Sequence, residues 1–254
     1  MLKIEIIPCL NDNYSYLLYE EKSKIVAIID PSDFETCDKT ISKRFRKLDL
    51  ILNTHHHVDH TGGNEKLKNK YKSKILACDM DKDRIEGIDL HLKDEQIVKI
   101  GSTSFKVIFI PGHTSGHLAF YFQEEKMVFT GDTLFSLGCG KVFEGTHKQM
   151  LNSLRKLKNL PKDTKIYCGH EYTKNNLEFC LKYDSKNNFL KEKKNWIFKQ
   201  LKSNLPTIPT TVEDEQKTNI FLRFDDPSIK KALKLNNATE QEIFSKLRDL
   251  KDSF

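Results

Sequence analysis

The sequence predicts an α/β protein that ends in an all-helical segment. Short stretches rich in Ile, Val and Phe alternate with turn residues through about residue 172, which is typical of strands interleaved with helices. Beyond that point the apolar residues recur at helical spacing among many lysines. The 254 residues are enough to bury a sizeable core. We therefore predict one domain over residues 1–173 and a helical domain over residues 174–254.

Ten short apolar segments are predicted strands of the first domain. Turn residues such as Asp30-Pro31 and Gly62-Gly63 separate them. The predicted strands are Ile4–Ile7, Ser15–Tyr19, Ile25–Ile29, Leu50–Leu52, Ile75–Ala77, Gln96–Ile100, Phe105–Ile110, Leu118–Phe122, Met127–Phe129 and Ile166–Tyr167.

Two helix starts carry a capping box, in which the side chains of the N-cap residue and of the third helical residue each bond the other's backbone N–H. Thr146 with Gln149 opens one helix, and Thr239 with Glu242 opens another. Apolar residues at helical spacing follow both boxes. Both segments are therefore predicted to be amphipathic helices.

The other predicted helices lie in the last third of the chain. Residues Asn175–Leu201 show a continuous helical and amphipathic pattern. Pro206 and Pro209 then end it, because two prolines so close together cannot lie inside a helix. A further short helix is predicted over Ser228–Leu235.

Composition excludes several classes of partner. The 42 basic and 36 acidic side chains give a net charge of +6, and they are interleaved, so we expect a solvated surface and no nucleic-acid partner. No apolar run approaches the ~20 residues of a membrane span. The first residues predict a strand and no targeting peptide, and the six cysteines form no Cys-x-x-Cys pair. We expect a cytoplasmic monomer with reduced thiols and no membrane partner.

One short segment holds four metal-ligand residues. In His55-x-His57-x-Asp59-His60 the imidazoles of His55 and His57 follow a predicted strand. Alternate residues of an extended chain project to the same side, so these two imidazoles can approach one metal ion. His56 is expected to point the opposite way. Asp59 and His60 come at the turn that follows, where the change of direction allows two more ligands to approach. Neutral imidazole and carboxylate suit Zn²⁺.

Three further ligand-type residues, His113, Asp132 and His170, follow the ends of other predicted strands. Seven candidate ligands exceed what one tetrahedral ion needs and fit two neighbouring ions that share one carboxylate, for which Asp132 is the natural bridge. This predicts metal-assisted hydrolysis with two divalent ions, zinc first and iron or manganese as alternatives. His117 has two equally weighted interpretations: it orients a metal ligand, or its role is purely structural.

The motifs together resemble the metallo-β-lactamase superfamily and, within it, the glyoxalase II (hydroxyacylglutathione hydrolase) branch. That resemblance implies a four-layer αββα sandwich with a two-metal site at one edge, followed by a helical domain. It spans nearly the whole chain. The motifs that carry it are Thr54-His55-His56-His57, Gly62-Gly63-Asn64, Pro111-Gly112-His113-Thr114-Ser115-Gly116-His117, Gly131-Asp132-Thr133-Leu134-Phe135, Gly138-Cys139-Gly140-Lys141, Glu144-Gly145-Thr146 and Gly169-His170-Glu171-Tyr172.

The resemblance also implies a role for each ligand, with Asp59 and Asp132 as catalytic carboxylates. Asp59 is expected both to ligate a metal and to orient the attacking hydroxide. The implied metal ligands are His55, His57 and His113 for one ion and Asp59, His60 and His170 for the other, with Asp132 bridging.

Glutathione recognition is implied for Lys141, Tyr172, Arg248 and Lys251. The last two lie three residues apart, so they share one helix face and both cations can meet one carboxylate. Phe143 occupies a position where this branch usually has tyrosine, which removes a hydroxyl from the substrate-binding set. A lost neutral hydrogen bond costs ~0.5–1.5 kcal/mol, so weaker binding of the glutathione thioester is expected.

The implied reaction is hydrolysis of S-D-lactoylglutathione and related 2-hydroxyacyl thioesters to D-lactate and glutathione, by a hydroxide between two metal ions, in methylglyoxal detoxification. Two alternatives share this scaffold: a persulfide dioxygenase with one iron, and a metal-dependent phosphodiesterase. A binding module with a structural zinc is a third, although structural zinc sites are closed and usually have four ligands. A thiol carrier other than glutathione also stays open.

Overall fold

The computed structural model describes residues 1–254, which fold into two compact units. The first unit comprises Met1–Phe109 and Thr114–Gly131, and the second comprises Ile110–His113 and Asp132–Phe254. The chain therefore passes between the units at three peptide bonds, two of which involve His113 and Asp132. The predicted domain division at residue 173 stays a prediction.

A six-stranded mixed sheet opens the first unit, in strand order β1-β2-β3-β4-β5-β6. The first three strands form antiparallel pairs, and the last four run parallel. A parallel pair needs a crossover connection, which helices supply after β3 and β4. The strands are β1 Leu2–Cys9, β2 Asn13–Glu20, β3 Ile25–Ile29, β4 Leu50–Leu52, β5 Lys74–Cys78 and β6 Ile88–Leu92.

Three helices of the first unit lie along these connections. Helices α1 Phe34–Arg44 and α3 Asn64–Tyr71 pack on the six-stranded sheet, and α2 Val58–Thr61 is a single turn. Asp33 caps α1, because its carboxylate accepts the N–H of Thr36 at 2.7 Å. An aliphatic core fills the space between sheet and helices, formed by Ile7, Leu17, Val26, Ile28, Cys37, Ile41, Leu48, Ile51, Leu67, Ile75 and Ala77.

Four antiparallel strands form a second layer in this unit, in the order β10-β9-β8-β7. Aromatic side chains join the two layers, since the Tyr16 ring meets Phe129 edge-on at 5.1 Å. Strand β2 is consequently buried along almost its whole length. The four strands are β7 Ile97–Ile100, β8 Thr103–Phe109, β9 Leu118–Phe122 and β10 Met127–Gly131.

The second unit combines short strand pairs with six helices. Phe221 anchors its core, with ring centroids 5.8 Å from Phe179 and 6.2 Å from Phe244. Strand β11 pairs with β12 and β13 with β14, both antiparallel. The elements are β11 Leu134–Phe135, β12 Gly138–Cys139, α4 His147–Lys158, β13 Lys165–Cys168, α5 Thr173–Tyr183, α6 Asn188–Lys202, β14 Thr210–Thr211, α7 Val212–Thr218, α8 Pro227–Ala232 and α9 Glu240–Asp252.

All ten predicted strands are present, and both predicted capping boxes form at Thr146 and Thr239. The continuous helix predicted over Asn175–Leu201 is wrong. The chain breaks after α5, where the carboxylate of the buried Asp184 pairs with Arg223, and Asn187 then caps α6 by accepting the N–H of Leu190 at 3.2 Å. Strands β6, β11, β12 and β14 were not predicted.

Candidate active site

Two of the predicted ligands meet directly after strand β4. The chain beyond Leu52 is irregular and not extended as predicted, yet it still brings Nε2 of His55 within 3.2 Å of Nδ1 of His57. The hydroxyl of Thr54 lies 3.0 Å from Nδ1 of His55, which leaves Nε2 directed toward His57. His56 faces elsewhere, with Nδ1 3.6 Å from a carboxylate oxygen of the buried Asp81.

Helix α2 carries the other two ligands of this motif. His57 precedes its first turn, and Asp59 and His60 lie within it. Nδ1 of His60 lies 3.0 Å from Oδ2 of Asp30, so its Nε2 is the nitrogen left to bind a metal. That Nε2 lies 3.6 Å from Oδ2 of Asp59, so these two donor groups converge on one region.

Asp30 is a residue of this site that the sequence analysis missed. Its carboxylate accepts the N–H and the hydroxyl of Thr54, both at 2.7 Å, in addition to its contact with His60. One donor atom from each of Asp30, His55 and His60 lies within 4.8 Å of the others. Since three protein groups already engage the Asp30 carboxylate, it orients the ligands. The sequence contained a signal for Asp30 as a site residue, because Asp30 directly follows β3 just as other predicted ligands follow strands.

The second unit holds the carboxylate predicted to be shared. Oδ2 of Asp132 lies 3.5 Å from Nε2 of His113 and 3.2 Å from Nε2 of His170, and all three residues are buried. Nδ1 of His113 donates to the carbonyl of Lys141 at 2.8 Å. The lone pair that can bind a metal is therefore on Nε2 of His113. A buried carboxylate between two imidazole nitrogens fits a divalent cation by the chemistry and position of its donor atoms.

Gly140 lets the loop beyond β12 pass close to this carboxylate residue. A Cβ at position 140 would lie 1.8 Å from the carbonyl oxygen of Asp132. No side chain fits there, so the approach requires glycine. The loop continues into Lys141, whose carbonyl holds His113.

Three of the predicted substrate residues surround the second-unit donors. The Phe143 ring is 60% exposed and meets His113 edge-on at 5.2 Å, and Nζ of Lys141 lies 5.5 Å from the same ring. Tyr172 is 38% exposed and stacks on His170 at 4.6 Å with an interplanar angle of 4°. An open aromatic surface with one cation therefore flanks two buried imidazoles.

The C-terminal pair divides into a buried and an accessible cation. Arg248 is 4% exposed, and its guanidinium donates to the carbonyl of Cys139 at 2.7 Å and to Asp252 at 3.1 Å. Lys251 is half-buried, and its Nζ lies 3.4 Å from the carbonyl of Asn175. Burial, with Arg248 beside it, lowers the pKa of Lys251 to about 8. Lys251 is therefore the more accessible cation of the pair.

Comparison with known proteins decides the family. The profile of the metallo-beta-lactamase superfamily matches residues 12–170, and that of the hydroxyacylglutathione hydrolase C-terminus matches residues 171–254. A hydroxyacylglutathione hydrolase of Pelagibacter ubique is 51% identical over 253 residues, covering 100% of both chains. One from Brucella ovis is 43% identical over 100% of this chain and 98% of its own. The chain belongs to the hydroxyacylglutathione hydrolase family.

Solved structures agree with this membership at the level of the fold. ETHE1 from Myxococcus xanthus superposes with a TM-score of 0.69 at 19% identity, over 98% of this chain and 91% of that one. The BLEG-1 B3 metallo-beta-lactamase gives 0.67 at 23% identity, over 87% and 99%. The predicted metallo-β-lactamase fold with a helical C-terminal region is thus confirmed for this hydroxyacylglutathione hydrolase family member.

The family assignment confirms the prediction made from the motifs, and the His and Asp groups fit a divalent metal centre. None of the helices is long and apolar enough to cross a membrane. Besides Asp30, the sequence analysis missed Asn13, whose side chain reaches Asp59.

Proposed function

We propose that this chain hydrolyses S-D-lactoylglutathione and related 2-hydroxyacyl glutathione thioesters to D-lactate and glutathione, in methylglyoxal detoxification. The observation that carries the proposal is the buried Asp132 carboxylate between the Nε2 atoms of His113 and His170, with exposed aromatic side chains beside both imidazoles. Full-length similarity to hydroxyacylglutathione hydrolases supports the same reaction.

The proposed centre takes two divalent ions, with zinc preferred and iron or manganese as alternatives. Bound there, the ions would supply hydroxide at neutral pH and stabilise negative charge on the thioester oxygen. The proposed ligands are His55, His57 and His113 for one ion and Asp59, His60 and His170 for the other, with Asp132 common to both.

The protein's own task is to hold these donors in their binding form. Asp30 keeps Nδ1 of His60 engaged, and the Lys141 carbonyl does the same for His113, so each imidazole presents a neutral Nε2. Oδ2 of Asp59 lies 3.6 Å from Nε2 of His60, and the Asp59 side chain is 35% exposed, which suits a carboxylate that orients the attacking water. The leaving group is a thiolate, so no strong general acid is required.

Substrate recognition is proposed to fall on the glutathione half. Lys141 and Lys251 supply cations for the carboxylates of the tripeptide, and Tyr172 and Phe143 supply exposed apolar surface. Arg248 acts by fixing the Cys139–Gly140 backbone that leads into Lys141. These roles separate recognition from the metal donors, so the two can be tested independently.

The deciding experiment follows the loss of thioester absorbance from S-D-lactoylglutathione on protein whose metal content is measured in parallel. We expect rapid turnover with close to two ions per chain. Absence of turnover with two bound ions would overturn the substrate assignment and direct screening to other thioesters and to phosphodiesters. A single bound iron with oxygen consumption on glutathione persulfide would instead identify a dioxygenase.

We further propose that the enzyme is a cytoplasmic monomer. All six cysteines are free and buried, which suits a reducing compartment. Light scattering coupled to size-exclusion chromatography tests the oligomeric state, with the 29.6 kDa chain mass expected. Fractionation of the native host tests the compartment.

A further inference from the structure

Asn13 connects the first hairpin of the chain to a candidate catalytic carboxylate. Its side-chain amide donates to Oδ2 of Asp59 at 2.9 Å and to the backbone carbonyl of Asp59 at 3.1 Å. Asn13 is 5% exposed, whereas the side chain of Asp59 is 35% exposed. A buried amide thus donates one hydrogen bond to the partly exposed carboxylate of Asp59 and one to the backbone of the same residue.

The hairpin gives Asn13 a rigid base. Asn13 is the first residue of β2 and pairs with Cys9, the last residue of β1, across a tight loop in which Leu10 has φ +48°. Eight consecutive residue pairs fix the register of these two strands. Helix α2, which carries Asp59, has only four residues, so its own hydrogen bonds constrain it weakly.

We propose that Asn13 is a positioning residue that fixes the rotamer of Asp59 and thereby the orientation of its metal-binding and water-orienting oxygens. This inference rests on the proposed function, since Asp59 acts there as ligand and orienting group. Both donated hydrogens come from one amide group, so side chain and backbone of Asp59 are set together. A donor to an ionised carboxylate makes a stronger hydrogen bond than a neutral pair does.

The chemistry of asparagine is specific to this task. An aspartate of the same shape at position 13 would place two carboxylates 2.9 Å apart, with no donor between them. Alanine would remove the donor to Asp59 without adding charge. Asn13→Asp and Asn13→Ala therefore separate loss of the donor from added repulsion.

The test compares these variants with Asn11→Asp, which adds the same charge on the exposed part of the same loop. Three quantities are measured for each full-length protein: the affinity for Zn²⁺ in competition with a chelator, the Tm of the metal-free protein, and kcat and KM for the thioester. We expect Asn13→Asp to bind the zinc ion that Asp59 is proposed to hold about 10- to 100-fold less tightly than the wild type does. The loss should be smaller in Asn13→Ala. The metal-free Tm of Asn13→Ala should match that of Asn11→Asp, and in both Asn13 variants kcat should fall while KM stays constant.

Two results would overturn the proposal. One is wild-type zinc affinity in both Asn13 variants. The other is a drop in the metal-free Tm of Asn13→Ala that Asn11→Asp does not share, because this would make Asn13 a structural residue. If the wild type binds zinc but does not hydrolyse the thioester, the proposed function fails, and the zinc affinities still decide the role of Asn13.

Discussion

The proposed metal donors and the proposed substrate residues of this chain differ in their exposure to solvent. His55, His60, His113 and His170 are buried, and the fold engages the second nitrogen of His60 and of His113. Phe143, by contrast, presents most of its ring to solvent. The donors are therefore preorganised before substrate arrives, whereas the recognition surface is free to adapt. Changes to donors should affect metal content and kcat, and changes to the surface should affect KM.

Arg248 breaks this division. Its position in the sequence implies a substrate contact, yet it is buried as deeply as a metal donor. Its Nη1 lies 2.7 Å from the Cys139 carbonyl, and Nη2 lies 2.9 Å from Asp252. The proposed role of Arg248 in recognition is therefore indirect, because its guanidinium holds the backbone that leads into Lys141.

The largest effect is expected for Asp132→Ala. Two imidazoles lose the carboxylate between them, so the proposed centre should lose metal and activity together. Loss of a single electrostatic donor already costs about 10²–10³ in kcat, so we expect a loss of at least about 10³ here. Metal analysis and thioester hydrolysis on one sample check this, with the exposed Asp249→Ala as control. Full activity with intact metal content would refute the two-ion centre.

Arg248→Ala should have the next largest effect, and it tests whether Arg248 acts through the backbone that leads into Lys141. Removal of the guanidinium leaves the buried Cys139 carbonyl without its donor, which costs about 1–3 kcal/mol. We expect a Tm several degrees lower, a KM raised about 10-fold and unchanged metal content. Lys251→Ala is the matched variant, with raised KM and nearly unchanged Tm. Equal Tm values for Arg248→Ala and Lys251→Ala would indicate that Arg248 contacts the substrate directly.

The part of the site that residue spacing alone predicts is the part that is local in the chain. The donors His55, His57, Asp59 and His60 lie within six residues, so their spacing alone indicates a metal site. The capping box at Thr146 is equally local and is present. These features depend on backbone geometry over one or two turns and need no knowledge of tertiary contacts.

The features that were missed depend on contacts between distant residues. Asp30 meets His60 across 30 residues, and Asn13 meets Asp59 across 46. The break after α5 was missed for the same reason, because Asp184 pairs with Arg223, 39 residues further along. Apolar residues recur at helical spacing on both sides of the break and led to the prediction of one helix, although no apolar residue lies between Tyr183 and Phe189. Arg248 looks like an exposed cation until the Cys139 carbonyl is placed beside it.

Lys251 makes the recognition surface sensitive to pH. Burial and the neighbouring Arg248 lower its pKa to about 8, while Glu178 acts in the opposite direction. Lys251 is protonated below that pH and binds a carboxylate, and it loses its charge as pH rises through about 8. We expect KM to rise there by up to about 5-fold, the value of one accessible ion pair. Lys251→Arg should flatten this rise, and Lys251→Gln should give a high KM at every pH.

Steady-state kinetics between pH 6.5 and 9.5 check this expectation, with kcat as the internal reference. A rise in KM that persists unchanged in Lys251→Arg would assign the titration to another group. The recognition surface would then depend on Lys141 for its charge, and Lys251 would only pack against Asn175.

Phe143→Tyr should have the smallest effect, and it tests how adaptable the recognition surface is. The ring is 60% exposed and lies edge-on to His113, so a hydroxyl can be added without a steric clash inside the core. If that hydroxyl meets the tripeptide, one neutral hydrogen bond at an exposed position, worth ~0.5 kcal/mol, lowers KM by about 2-fold. Metal content and kcat should not change, because Phe143 ligates nothing.

The Phe143→Tyr change also distinguishes two interpretations of the phenylalanine at a position where this branch usually has tyrosine. A lower KM for S-D-lactoylglutathione means that this chain binds glutathione in the manner the resemblance implies, with one contact fewer. An unchanged KM means that a hydroxyl at position 143 points into water, and that Lys141, 5.5 Å from the ring, carries this part of the surface alone. Lys141→Ala in both backgrounds then separates the two contributions, since coupled residues give non-additive changes in KM.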